Sequence, residues 1–379
     1  NVFWTVRRQS QVPYVLNPGA WTKLNNWNLH RDINDSKDLV EGRKYWFPLF
    51  SIIRFDNGPC IGPAGQQGMC LSLHGCLRRG GSAFSTCAVG YGVCCSLSVS
   101  CGGTVVTNNS YFVSPVYQGG AADGFRPGNS ICWAIINRLP GACQVRLDFV
   151  DFDLAPPQVG DCRNESFTVR GLNGHSSAIP IICGKNTGQH MYIDLDTAAA
   201  PLILDVRTQP PRNSRWNIKV TQVPCSQRAP AGCLQYFTTE RGNFSSFNYY
   251  DRQNTPPQQG YMNNLDYTIC VRTNAGYCGT VLSVNDQSPF VLMNVNPDET
   301  PTTLETEAGL GVDECRQDYL LIGGTRYCGT RLNPDTSNIN PRQNAPVIVT
   351  SPELTRIRFV TSAMLNARGF ELNFRQNAC

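Results

Sequence analysis

The chain has 379 residues, which is enough for two or three domains that each bury a core of their own. Only 16% of the residues are charged, the formal net charge is +4, and Lys and Arg are scattered along the chain. No apolar run approaches the ~18 residues that a spanning helix requires. We therefore expect neither nucleic acid as a partner nor a membrane span.

The use of cysteine indicates an oxidising compartment. The chain has eighteen cysteines, an even number, whereas cytosolic proteins keep their thiols reduced. Four Asn-x-Ser sequons agree with secretion; they begin at Asn34, Asn108, Asn164 and Asn243. The start of the chain lacks the apolar segment of a signal peptide, so we interpret it as a mature form after cleavage. We expect a secreted, extracellular glycoprotein.

Residues 1–55 form an N-terminal aromatic arm without cysteine. The arm holds four of the six Trp of the chain, namely Trp4, Trp21, Trp27 and Trp46. Large, rigid aromatic side chains are favoured in binding interfaces. Two interpretations stay open: the arm covers domains of its own chain, or it inserts into a neighbouring molecule as an added strand and links a homo-oligomer.

Residues 56–98 form a small module with six cysteines, too short for a core, so disulfides must stabilise it. Six cysteines allow fifteen pairings. A zinc site is the competing interpretation, but no His lies at ligand spacing. The spacing C-x9-C-x5-C-x10-C-x6-CC resembles the clip domain of arthropod extracellular proteins. That resemblance implies the pairs Cys60–Cys94, Cys70–Cys87 and Cys76–Cys95.

The rest of the chain repeats one order of landmarks, from Cys101 to Cys225 and again from Cys233 to Cys379. Each copy has a cysteine entering a strand-like run, then a Cys-Gly step, then an alternating strand before its last cysteine. These are Cys132 and Cys270, Cys183-Gly184 and Cys328-Gly329, and residues 216–220 and 370–374. Two copies of one disulfide-bonded domain explain the pattern.

An all-β fold is predicted for both copies. The chain has 34 Gly and 25 Pro, so turns are frequent and long helices are not expected. Strand-like runs recur at 145–149, 202–206, 347–349 and 357–359.

The two copies resemble CUB domains. The first carries Cys101-Gly-Gly, Tyr111-Phe-Val-Ser-Pro115 and the run Leu147-Asp-Phe-Val-Asp-Phe-Asp-Leu154; the second keeps Asp318-Tyr-Leu, Tyr327-Cys-Gly329 and Gly369-Phe-Glu-Leu372. The resemblance implies two tandem CUB-like β-sandwiches, at residues 99–225 and 226–379. Only seven residues separate Cys225 from Cys233, so we expect a fixed pair of domains.

The family pairing implies Cys101–Cys132, Cys162–Cys183, Cys233–Cys270 and Cys315–Cys328. Four cysteines are left over, one near the start and one at the end of each copy. In a CUB-like sandwich the closing strand runs antiparallel beside the strand that Cys143 opens. We therefore expect Cys143–Cys225 and Cys278–Cys379, and a bond between the copies, such as Cys143–Cys278, is the alternative.

No catalytic residues are predicted. Arthropod clip modules often precede a chymotrypsin-like protease, but the chain has no Gly-Asp-Ser-Gly segment. Its four histidines, His30, His74, His175 and His190, lie in no triad pattern. Every cysteine has an assignable partner, so no thiol nucleophile is left over. We expect a protein without enzymatic activity and without a cofactor.

Calcium is the metal ion to consider, because many CUB domains bind it through carboxylates. Asp151, Asp153 and Glu165 are the candidates in the first copy, and Asp318 is kept in the second. The late loops, residues 208–216 and 361–369, offer no carboxylate, although a hard cation wants six or more oxygens. We therefore interpret Asp151, Asp153 and Asp318 as surface or turn carboxylates rather than ligands.

CUB domains act, as a family, by presenting loops and one sheet face to other extracellular proteins. The resemblance implies a secreted, non-catalytic adaptor or recognition factor. Two alternatives remain: a self-assembling structural component linked through the arm, and a carbohydrate-binding protein.

Overall fold

The computed structural model describes most of the chain. The described residues are 2–5, 51–55, 57–63, 67–115, 130–171, 179–195, 201–209, 214–249, 260–284, 290–294, 308–333, 344–364 and 366–379. They form two compact units, Asn1–Ser98 and Val99–Cys379. The first unit thus contains both the arm and the six-cysteine module, and the second contains both repeats.

In the first unit the two ends of the arm pair with each other. Strand β1 (Val2–Thr5) runs antiparallel to β2 (Ser51–Arg54), with Phe3 opposite Ile53. Trp4 lies in β1, while Trp21, Trp27 and Trp46 lie outside the described residues. The two interpretations of the arm therefore remain predictions.

The six-cysteine module is a small sheet with one short helix, α1 (Leu73–Arg78), whose N-cap Ser72 accepts a hydrogen bond from the Gly75 amide at 2.7 Å. The strands are β3 (Pro59–Ile61), β4 (Gln67–Leu71), β5 (Ser82–Cys87) and β6 (Gly92–Val99), in the order β3-β4-β6-β5. Leu71, Cys76, Cys95 and Leu97 form its buried cluster. The disulfides Cys60–Cys94, Cys70–Cys87 and Cys76–Cys95 cross this sheet, which is consistent with a module that bonds, rather than a core, must stabilise.

The first repeat is a sandwich of two four-stranded sheets. Its strands are β7 (Gly103–Val105), β8 (Ser110–Val113), β9 (Ser130–Ile136), β10 (Ala142–Asp153), β11 (Ser166–Arg170), β12 (His190–Asp194), β13 (Leu202–Thr208) and β14 (Arg215–Pro224). One sheet has the order β12-β10-β14-β8 and the other β11-β13-β9-β7. The alternation of β10 buries Leu147 and Phe149. The rings of Phe149, Phe152 and Phe167 pack at centroid distances of 4.9–5.9 Å between the sheets.

The second repeat is also a two-sheet sandwich. Its strands are β15 (Gln235–Phe237), β16 (Arg241–Ser245), β17 (Asp266–Arg272), β18 (Tyr277–Val284), β19 (Ala308–Leu310), β20 (Tyr319–Ile322), β21 (Thr325–Gly329), β22 (Val347–Thr350), β23 (Leu354–Val360) and β24 (Glu371–Ala378), with a one-turn helix α2 (Gly311–Glu314). One sheet has the order β15-β17-β23-β20-β21-β19 and the other β16-β24-β18-β22. Phe359 and Phe370 meet in its core with ring centroids 5.0 Å apart.

The remaining six disulfides lie within single repeats. They are Cys101–Cys132, Cys143–Cys225, Cys162–Cys183, Cys233–Cys270, Cys278–Cys379 and Cys315–Cys328. Strand β14 runs antiparallel to β10 with Ala142 opposite Pro224, which brings Cys143 and Cys225 together. Strand β24 lies in the same way beside β18, with Tyr277 opposite Ala378. The closing strand of each repeat therefore ends where its neighbour begins.

The all-β prediction is confirmed by these elements. The strand-like segments at 145–149 and 202–206 lie in β10 and β13, and those at 347–349 and 357–359 lie in β22 and β23. Among the residues described, the two α-helices have six and four residues, as the Gly and Pro content led us to expect.

Candidate functional site

The junction between the two repeats brings two edge strands together. Strand β15 runs parallel to β17 of its own repeat, with Tyr236 opposite Cys270. On the other side, the Tyr192 amide of β12 donates to the carbonyl of Leu234, the residue before β15, at 2.7 Å. The edge of a sheet in the first repeat therefore lies beside the edge of a sheet in the second, and a backbone hydrogen bond connects them.

His190, the first residue of β12, supplies the second hydrogen bond of this junction. Its Nε2 accepts a hydrogen bond from the Tyr236 amide at 3.0 Å. The ring is 7% exposed and packs edge-on against Tyr192 and Phe237, with centroids 5.6 and 5.0 Å away. Burial, helped by the nearby Arg146, lowers the pKa of His190 from 6.5 to about 4, so the imidazole is neutral at pH 7 and free to accept.

Buried side-chain amides hold the junction on either side of this strand. Gln144 both donates to the Ala229 carbonyl, at 3.1 Å, and accepts from the Ala229 amide, at 2.7 Å. Gln189 donates to the Ser245 hydroxyl and to the Ser246 carbonyl, both at 3.0 Å. Each amide thus satisfies backbone or hydroxyl groups that would be costly to bury unpaired.

Two further contacts place an Asn of the second repeat over a glycine of the first. The Asn248 amide donates to Asn186 at 2.8 Å, and its side-chain oxygen accepts from the Lys185 amide at 3.0 Å. A Cβ at Gly184, whose φ is +75°, would collide with the side chain of Asn248. Gly160, with a φ of +81°, lies in the same way against Asn263. Only glycine fits at either position.

These contacts make the two sandwiches one body. The buried apolar residues of both repeats belong to one continuous cluster. An interface with paired buried amides has few ways to slide, because each movement would leave several donors and acceptors without partners. The geometry is that of the fixed pair expected from the short linker.

We expect the substitution Gly184→Ala to loosen the junction. The new Cβ would push Asn248 away and break its bonds with Asn186 and Lys185, at a cost on the order of 1–3 kcal/mol from overpacking. The measurement is the free energy of unfolding in urea, together with hydrogen exchange at residues 184–190 and 245–249.

Gly188→Ala is the matched control, because Gly188 also has a positive φ of +86° but a Cβ added there would meet no atom within 4 Å. Both variants bear the left-handed strain of roughly 1–2 kcal/mol. Equal losses in the two variants would contradict the assigned role of Gly184.

The junction should also weaken in mild acid. The pKa of His190 is lowered in the folded state, so its contribution is present above pH 6.5 and is lost as the pH falls towards about 4. Protonation would place a proton on Nε2 facing the Tyr236 N–H and a charge close to Arg146. Burial raises the pKa of Asp318 to about 6, which acts in the opposite direction over the same range.

The comparison of wild type with His190→Gln isolates the histidine, since a Gln oxygen still accepts from Tyr236 and Asp318 is common to both proteins. We expect the free energy of unfolding of wild type to fall relative to the variant between pH 6.5 and 4. Parallel pH profiles for the two proteins would exclude His190 as the titrating group.

The candidate calcium residues of the first repeat are held by donors of their own domain. Glu165 accepts from the Ala155 amide at 2.6 Å, the Gln209 amide at 3.1 Å and the Ser214 hydroxyl at 2.5 Å. Asp151 forms an ion pair with Arg215 at 2.7 Å, and Asp153 lies 3.9 Å from the same guanidinium.

The equivalent residue of the second repeat, Asp318, is buried and accepts from the Tyr261 hydroxyl at 2.5 Å and the Ser362 amide at 2.6 Å. Among the described residues, no group of three or more His, Cys, Asp or Glu is placed to hold a metal ion. The interpretation of Asp318 as a surface or turn carboxylate is therefore wrong, because its side chain is buried and hydrogen-bonded within the domain. The expectation that these carboxylates do not bind calcium stays a prediction for calcium titration.

Three of the four sequons and one further histidine lie among the described residues. Asn243 is exposed on the edge strand β16, and Asn164 is half-buried. Asn108 uses its side chain to bind the backbone of Gln222 at 2.7 and 3.0 Å. His74 is exposed on α1. Asn34, His30 and His175 lie outside the described residues.

An exposed apolar patch lies on the outer face of the β11-β13-β9-β7 sheet. Ile131 and Trp133 are 56% and 38% exposed. Asp205 stands opposite Trp133 across β13 and forms an ion pair with Arg170 at the patch rim. An aromatic centre with a charged rim is the usual anatomy of a protein-binding surface.

Sequence patterns missed most of these groups. His190 has the sequence context of a turn or edge histidine, and no local signal distinguishes Gln144, Asn186 or Asn248 from other polar residues. The recurring Cys-Gly step was the one usable sign of Gly184.

Comparisons with known proteins agree with the fold. Residues 230–377 match the family model described as the animal CUB domain. An "Uncharacterized secreted protein" of Arthroderma benhamiae is 37% identical over 76 residues, which are 20% of this chain and 30% of that protein. The chain therefore spans less than a third of the length of this curated relative.

The solved structures that match this chain include the CUB1-EGF-CUB2 domains of rat MASP-1, at 15% identity over 73% of this chain and 99% of that chain, with a TM-score of 0.25. The full extracellular region of zebrafish Gpr126/Adgrg6 matches at 14% identity over 74% of this chain and 37% of that chain, also with a TM-score of 0.25. At these TM-scores the overlays do not bear on how the domains of this chain are arranged.

The match over the second repeat supports a CUB protein. CUB domains are in general non-catalytic binding modules, and the disulfides and the secreted relative suggest an extracellular location. No helix in the described part of the chain is long and apolar enough to cross a membrane.

Proposed function

We propose that the chain is a secreted, non-catalytic adaptor that binds other extracellular proteins through its two CUB-like repeats acting as one body. The junction supports this proposal most directly. A bipartite surface binds a partner tightly only when its two halves are already oriented, since ordering them on binding would consume part of the interaction energy.

The patch around Trp133 is the part of the surface that we assign to a protein partner. Tyr, Trp and Arg are the residues that most often carry binding energy in such surfaces. Here the exposed Trp133 is flanked by the ion pair Arg170–Asp205. The guanidinium and the carboxylate of this pair can hydrogen-bond to polar groups of another protein.

The experiment compares proteins retained from extracellular fluid by immobilised full-length chain and by three variants. Trp133→Ser should reduce retention of a genuine partner by roughly tenfold or more. Gly184→Ala should also reduce it, because the partner spans both repeats, whereas Gly188→Ala should not. Equal retention by all four proteins would contradict the adaptor proposal.

Self-assembly is the second candidate, favoured by the concentration of Trp in residues 1–55. In this version the arm, and the clip-like module of arthropod type beside it, link copies of the chain. Sedimentation of the full chain decides between the two. Concentration-dependent polymers that disappear on removal of residues 1–55 would favour assembly, and a monomer in both cases would favour the adaptor.

A further inference from the structure

At the junction around β15, cations of both repeats lie on one outer face of the molecule. In the first repeat Lys219 of β14 lies opposite Asp148 of β10, and Arg146 of β10 lies opposite Tyr192 of β12. Because side chains two apart in a strand share a face, Arg146 and Asp148 point to the same side. Arg146 also donates to the Tyr192 hydroxyl at 2.8 Å.

Two tyrosines carry this face across the junction. The rings of Tyr192 and Tyr236 meet edge to face with centroids 6.1 Å apart. The guanidinium of Arg146 lies 5.2 Å from the centre of the Tyr192 ring, and Arg272 lies on the same face of β17 as Cys270, which is opposite Tyr236. The order along the face is therefore cation, two aromatic rings, cation.

The second repeat continues the face with three more arginines. Arg356 of β23 lies opposite Cys270, and Arg358 lies opposite Thr268 on one side and Leu321 on the other. Leu321 in turn lies opposite Arg326 of β21. The basic face is thus defined by Lys219, Arg146, Arg272, Arg356, Arg358 and Arg326.

Positive charge is concentrated on the basic face. Its six cations are accompanied by Asp148, Asp194 and Asp266, on a chain whose formal net charge is only +4. The far ends of β10 and β14 add Arg215 with Asp151 and Asp153 on the same side. Burial lowers the pKa of Lys219, while Asp148 raises it and Arg146 lowers it to a smaller extent. An anion bound here would favour the charged form of this amine.

We propose that the basic face binds a sulfated polysaccharide that runs across both repeats. The cations lie on five of the eight neighbouring strands from β14 to β21, so the face is roughly 30 Å wide. A small anion would contact one or two arginines, whereas a linear polymer with repeated sulfates contacts all of them. The planar guanidinium fork suits the paired oxygens of an anionic group.

The groups between the cations favour a sugar over an acidic protein segment. They are the rings of Tyr192 and Tyr236 and the hydroxyls of Thr221 and Thr268, which offer flat and polar surface. A protein partner would want a deep apolar anchor. The exposed Ile131 and Trp133 lie on the other sheet of the first sandwich. This inference goes beyond the adaptor proposal and does not depend on it.

The test measures binding of the full-length chain to immobilised heparin at about 0.15 M salt. We expect the double variant Arg272→Gln/Arg356→Gln to weaken binding about tenfold or more, which corresponds to about 1.4 kcal/mol. The matched control is Arg241→Gln/Arg375→Gln, because these exposed arginines face each other on β16 and β24 of the other sheet. The control should bind as wild type does.

Three further measurements test the role of the guanidinium groups, the stability of the variant and the need for sulfate. Arg272→Lys/Arg356→Lys should bind with intermediate strength, since it keeps the charge and loses the fork. Arg358→Gln, which removes only an exposed ion pair with Asp266, replaces the double variant if that proves unstable on heating. Desulfated heparin should not bind.

Equal weakening in the control would show that net charge alone attracts the polymer and would overturn the site. Polyglutamate that binds as tightly as heparin would overturn the choice of a sugar in favour of an acidic protein. Binding that survives in all variants, or fails in wild type, would refute the inference outright.

Discussion

The hydrogen bonds on either side of β15 are the constraint on which the rest of this molecule depends. An edge strand normally leaves a row of unpaired N–H and C=O groups. Here β12, the edge of the first sandwich, meets the chain segment that opens the second, at Leu234 and Tyr236. The edges of two sheets are therefore joined by hydrogen bonds at the junction, and every surface that spans both repeats depends on the geometry of this contact.

The hydrogen bonds of the junction explain why a linker of seven residues is sufficient to connect two repeats in one orientation. They also explain why the residues around the junction are mostly polar. Apolar packing alone would tolerate sliding, because it is not directional. The amides of Gln144, Gln189 and Asn248 each bind particular backbone atoms and so fix one orientation. Gly184 and Gly160 help to fix the same orientation, since they allow Asn side chains to approach the backbone closely.

Much of the fold was predictable because its signals are local. The alternation of Val145 to Phe149 and the spacing of the cysteines belong to short stretches of sequence, and they predicted β10 and an all-β chain. The residues of the junction could not be predicted in this way. His190 and Tyr236 are 46 residues apart in sequence, so their contact depends on the packing of two domains. The basic face is equally non-local, because Arg146 and Arg272 come to lie on one face only when the two repeats pack together.

The most direct test of a fixed junction is the distance between a probe in each repeat. Thr104 on β7 and Asn373 on β24 are exposed and lie away from the junction. They would be labelled through a non-cysteine chemistry, because all eighteen cysteines are paired. Pulsed spin-resonance distance measurement at pH 7 should give one narrow distribution, the result expected of two sandwiches fixed by the hydrogen bonds of the junction. A broad or multimodal distribution would contradict a fixed junction.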